Sequence, residues 1–78
     1  MTSPPLDRIT SSKDILGGKP VIRGTRISVE LVLGLLASGW MVQDILGDYP
    51  HITNEDVLAC IAFARDLVVE DFELTSAA

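Results

Sequence analysis

A chain of 78 residues with one cysteine, one histidine and a net charge of −5 has room for one small apolar core. It lacks the residues for an internal disulfide or an ordinary structural zinc site, so association with another chain is the remaining support for so small a domain. The 47% hydrophobic content and mean hydropathy of +0.36 agree, because a body this small has too much surface to hide that much apolar material alone. A homodimer, a protein partner, or both are expected.

The charge is unevenly spread. Residues 1–28 carry five cations (Arg8, Lys13, Lys19, Arg23, Arg26) against two acids, a balance of +3, while residues 29–78 carry Arg65 alone against nine acids, a balance of −8. Such asymmetry points to two faces with different tasks. The longest uncharged run, Leu31 to Gln43, is too short for a membrane-spanning helix and is interrupted by Gly34, Ser38 and Gly39. The opening MTSPPLDRIT has neither the basic region nor the apolar block of a secretory signal; together with the unpaired thiol this reads as a cytoplasmic protein.

In chain order, residues 1–7 read as a flexible lead-in, 8–73 as a single domain and 74–78 as a flexible tail. Arg8–Thr10 and Thr25–Ile27 are short β-prone segments expected to pair, closing a small ribbon around the stretch GGKPVIRGTRIS at 17–28. Asp14–Leu16 reads as a turn between them. Ser28 is an N-cap for a helix that begins at Val29, with Glu30 favouring the positive end of its dipole. Leu31, Leu35 and Ser38 share one face of that helix, flanked by Val32 and Leu36, and Gly39 ends it. Val42–Gly47 forms a second helix with Ile45 and Leu46 inward, stopped by Gly47 and by Pro50. Thr53 caps a third helix, with the Asp56 carboxylate reaching back. Val57, Ile61, Ala64 and Val68 form its expected inner stripe, joined by Leu58, Cys60 and Leu67, as far as about Asp71. The expected fold is mainly α: a three-helix helix-turn-helix core with a short N-terminal two-stranded β ribbon. A ribbon-helix-helix dimer is the competing architecture, but it has two helices where three are read here.

No motif of catalysis emerges. GGKP differs from a phosphate-binding loop because the leading glycine is missing at the required spacing and Pro20 stands where a hydroxyl should hold magnesium. His51 sits beside Pro50 in a turn, Cys60 lies among apolar neighbours, and Asp44, Asp48, Glu55 and Asp56 fit helix ends and solvent faces. No enzyme activity, metal or cofactor is expected.

The blocks GGKPVIRGTRISVELVLGLLASG, DIL, DYPHIT and NEDVLACIAFA, within residues 8–68, resemble the bacterial family named domain of unknown function 433. The resemblance implies a homeodomain-like or winged-helix-like fold. It also implies an antitoxin role, because members often sit beside genes for PIN-like nucleases. One departure is that Met41 and Val42 stand where family members tend to carry Ser-Pro or a similar capping pair.

Two functions follow. As an antitoxin, the chain would present Lys19, Arg23, Gly24, Thr25 and Arg26 to a PIN-like nuclease toxin, the two arginines pairing with the carboxylates that gather magnesium, and Trp40 and Met41 would form a protein contact or else pack over the core. As a dimeric DNA-binding regulator, it would use Arg8, Lys13, Lys19, Arg23 and Arg26 on phosphates and Asn54 to read a base, although Glu55 and Asp56 at the start of the reading helix oppose that role. The bland alternative is that Arg23 and Arg26 pair with acids such as Glu30 or Asp48, of the same chain or of a dimer mate.

Overall fold

In the computed structural model the described residues are 6–72, with only the backbone described at Leu6, Asp71 and Phe72. The expected lead-in, apart from residues 6 and 7, and the expected tail lie outside this range. A 3-10 turn, Leu6–Arg8, leads into β1 (Ile9–Thr10), which pairs antiparallel with β2 (Val21–Ile22) in the register Ile9 to Ile22 and Thr10 to Val21. Then come α1 (Val29–Ala37), α2 (Val42–Asp48) and α3 (Asn54–Phe72). The fold is the mainly helical one expected, with a two-stranded N-terminal ribbon.

The ribbon's second strand is not Thr25–Ile27. Val21 and Ile22 occupy that place, and both are buried. Thr25 is held instead by its hydroxyl, which donates to the Ile22 carbonyl at 2.8 Å and accepts from the Ile27 N–H at 2.9 Å. A threonine that serves the backbone this way closes a turn rather than extending a strand. Ile27 and Ser28 then return along the other edge of β2, through Ile22 N–H to the Ile27 carbonyl (2.9 Å), a bridge between Val21 and Ser28, and Val29 N–H to the Pro20 carbonyl (3.0 Å). The buried β-branched pair thus has a neighbour on each side.

Ser28 caps α1, its Oγ accepting from the Leu31 N–H at 2.9 Å. The buried side of α1 is Val29 and Val32, whereas Leu31 is exposed and Leu35 only half-buried. The expected stripe was therefore rotated: β2 and α3 pack on the valine side. On α2, Ile45 is fully buried and Leu46 half-buried, as expected. The expected α3 stripe is corrected as well. Val57 is buried, but Ile61 (43% exposed) and Val68 (56%) face outward, and the inner side is Asp56, Val57, Cys60 and Phe63. Several apolar residues of α3 point away from the core, so apolar spacing alone could not identify its inner side.

The core joins Ile22, Val29, Val32, Ile45, Ile52, Val57 and Cys60, with Trp40, Tyr49 and Phe63 packed against it. Both strands and all three helices contribute, β1 through Ile9, which sets the ribbon and its loop firmly on the three helices.

Candidate functional site

The basic segment 17–28 is built from two turns that flank β2. In the first, Leu16, Gly17 and Gly18 all have positive φ (50°, 68° and 96°), and the Gly18 N–H donates to the Ile15 carbonyl at 3.0 Å. Lys19 follows, and its ammonium lies 2.9 Å from the Glu30 carboxylate on α1. Both side chains are largely exposed, so this pair contributes little stability, but it directs Lys19 along α1 rather than outward.

The second turn is a hairpin tip, Arg23-Gly24-Thr25-Arg26, held between Ile22 and Ile27. Thr25 N–H donates to the Ile22 carbonyl at 3.0 Å, and Gly24 takes φ 81°. Nothing crowds a Cβ at Gly24, so the left-handed backbone is what requires glycine. Arg23 N–H extends the ribbon to the Arg8 carbonyl at 2.7 Å, and Arg23 Nε donates to the Asp7 carbonyl at 2.6 Å. The N–H groups of Arg23 and Thr25 are thereby used, which closes the backbone anion site that glycines at this tip would otherwise offer.

Both arginines of the tip are exposed. Among the described residues neither has a carboxylate partner, and Arg26 makes no side-chain hydrogen bond. Glu30, an alternative partner for them, is taken by Lys19. Of the five loop residues singled out from sequence, Arg26 carries an outward charge, Arg23 is exposed but tethered through its Nε to the Asp7 carbonyl, Gly24 and Thr25 shape the turn, and Lys19 is tied back.

Arg8 stands elsewhere in the design. Its Nη1 lies 3.0 Å from Asp56 Oδ1, joining the ribbon to the first turn of α3, and its Nε is buried without a partner. Asp56, at the helix end as expected, is 6% exposed. Its second oxygen accepts from the Thr53 N–H at 2.9 Å while Thr53 Oγ1 accepts from the Asp56 N–H at 3.2 Å, the reciprocal cap read from the sequence. The cap was legible because its partners are three residues apart; the ion pair joins residues 48 apart, and no local pattern signals it. Lys13 and Asn54 are both exposed, and Glu55 beside Asn54 is exposed too.

A profile of the family described as protein of unknown function (DUF433) matches residues 9–64. The chain belongs to the DUF433 family. It is 41% identical over 57 residues to the uncharacterized protein y4eO of Sinorhizobium fredii (strain NBRC 101917 / NGR234), covering 73% of this chain and 26% of that protein. The chain thus spans about a quarter of the length of this relative. Among solved structures it is similar to a DUF433 member protein from Anabaena variabilis ATCC 29413, with 27% identity and a TM-score of 0.72 over 91% of this chain and 69% of the other.

The match to the DUF433 profile takes in the ribbon, the hairpin tip, α1, α2 and the first half of α3. Trp40 and Met41, at the α1–α2 turn, separate in role: Trp40 packs on the core, while Met41 is 63% exposed. Met41 offers α2 no acceptor, and the Asp44 carboxylate partly compensates by accepting the Met41 N–H at 2.9 Å. Among the described residues, no His, Cys, Asp and Glu side chains gather as a metal would need, and no helix is long and apolar enough to cross a membrane.

Proposed function

We propose that this domain is a non-enzymatic, antitoxin-like binding protein that neutralises a PIN-like nuclease by presenting the hairpin tip Arg23–Arg26 to its magnesium-binding carboxylates. The observation that carries this reading is a tip fixed by backbone bonds and the Thr25 hydroxyl, bearing two exposed arginines without a carboxylate partner among the described residues. A guanidinium matches a carboxylate with two parallel hydrogen bonds. A turn already ordered loses little entropy on docking, so more of that contact energy appears as affinity. The acidic remainder of the chain would cover basic surface that otherwise receives RNA.

The DNA-reading alternative is weakened by the same geometry. Arg8 is committed to Asp56, and Glu55 is exposed beside Asn54 at the end of α3 that would enter a groove. Binding of this chain to its own operator would then run through Lys13 and the hairpin tip. Such phosphate binding would fall steeply with salt.

The test is co-expression with a PIN-like nuclease from the same genome. Wild type restores growth, and Arg23→Ala with Arg26→Ala loses protection while the purified variant keeps its helical circular dichroism. Full protection by the folded double variant would sink the arginine mechanism.

A further inference from the structure

The ribbon sets two arginines face to face. Its register, with Ile9 opposite Ile22, continues one rung outward through the bond from the Arg23 N–H to the Arg8 carbonyl (2.7 Å), so Arg8 and Arg23 stand directly opposite with their side chains on one face. With Cβ atoms about 5 Å apart, like charges in that position destabilise a ribbon. The two side chains, together with Asp7 and Asp56, line a cleft of about 220 Å³.

Each guanidinium is anchored by one bond and keeps further donors. Arg23 gives its Nε to the Asp7 carbonyl, so its two Nη groups form a planar fork without a partner among the described residues. Arg8 gives Nη1 to Asp56, and its Nε is buried without a partner, which leaves Nη2 as the donor for a ligand on a side chain that is 38% exposed. The acids do not balance the pair. Asp56 uses its second oxygen on the Thr53 N–H, and so offsets Arg8 alone. Asp7 contributes its carbonyl, and its carboxylate joins no ion pair among the described residues. Arg23 is left without a bound countercharge.

We infer that this cleft is a binding site for a single carboxylate, held end-on by the Arg23 fork and met from across the ribbon by Arg8 Nη2. A carboxylate matches a guanidinium with two parallel hydrogen bonds, and by lying between two cations it offsets the repulsion that the register creates. One negative charge suits the place, because a phosphate dianion would bring twice that charge up to the carboxylates of Asp7 and Asp56. Arg26 is not among the residues that line the cleft, so the second guanidinium on an acid gripped by Arg23 is Arg8. As the docking point for an aspartate or glutamate side chain of a partner protein, the site rests on the binding role proposed above. As a carboxylate site it is tested on the chain alone, so the two can fail separately.

The test is titration of the full chain with sodium acetate, read by NMR on the arginine Nε–H signals. Both groups are shielded from exchange with water, Arg23 by its bond to Asp7 and Arg8 by burial. Acetate should move both signals saturably, beyond any change in sodium chloride of equal ionic strength. Arg26→Ala should leave this binding intact. Arg23→Lys and Arg8→Lys keep the charge and lose the fork, and each should weaken binding about tenfold, read on the arginine that remains. Arg23 is exposed, so its variant decides the matter if Arg8→Lys fails to fold. Shifts no larger than in chloride, an Arg23→Lys variant that binds as well as wild type, or inorganic phosphate binding more tightly than acetate would each overturn the proposal.

Discussion

Asp56 shows how much one side chain can hold when both carboxylate oxygens are used. One oxygen closes the cap of α3 and the other takes Arg8 from the ribbon, with the residue 6% exposed. Removing it leaves Arg8 without its countercharge and Thr53 without an acceptor. Asp56→Ala should therefore lower stability by about 3 kcal/mol, read as a lower urea midpoint. Asp56→Asn should lose less, because the amide oxygen keeps the Thr53 bond while its NH₂ cannot accept from Arg8. Unchanged stability of Asp56→Ala would contradict this account.

Cys60 has a different constraint at the same scale. Its thiol is fully buried beside the core, and burial, followed by the nearby Asp56 charge, pushes its pKa from 9.0 up to about 11. The folded chain therefore keeps this proton in a range where the unfolded chain has lost it. Stability is unaffected by this group below about pH 9 and declines as pH rises towards about 11. Alkylation at neutral pH should be slow in the native protein and rapid in denaturant. Fast native labelling would show that the helix opens readily.

At the scale of elements, α2 begins without a proper cap. Met41 has the extended backbone of a capping residue, φ −89° and ψ 160°, but no side-chain acceptor, and it is 63% exposed. Met41→Ser should add the missing bond, lose little packing and raise stability by about 1 kcal/mol; a lower melting temperature would mean that Met41 packs more than its exposure implies. Helix ends were the most legible part of the sequence, because caps act over three residues: Ser28 and Thr53 both serve as read. The second strand differs from the expected one because Thr25 has strand propensity yet spends its hydroxyl on a turn. The inner side of α3 differs from the expected stripe for a related reason, since this helix carries apolar residues on more than one side and only tertiary contacts decide which is covered. The arginine tip was recognisable as rigid and basic from its glycines and cations. That Lys19 and Arg8 would be tied elsewhere depended on residues distant in sequence.

At the scale of the whole molecule, the uneven charge becomes a division of labour. The ribbon end holds the exposed arginines of the tip, while residues 29–78 hold nine of the eleven acids, and α3 carries exposed apolar residues. A small core and a pre-ordered basic tip suit the binding role proposed for it.

The central claim is that the tip engages an acidic protein site. The measurement is capture from native cells with tagged wild type and with the Arg23→Ala, Arg26→Ala double variant, under nuclease treatment, followed by mass spectrometry. The account predicts a stoichiometric, carboxylate-centred nuclease on the wild type that the folded double variant loses. Equal capture by both, or capture only of DNA fragments or of the chain itself, would contradict it.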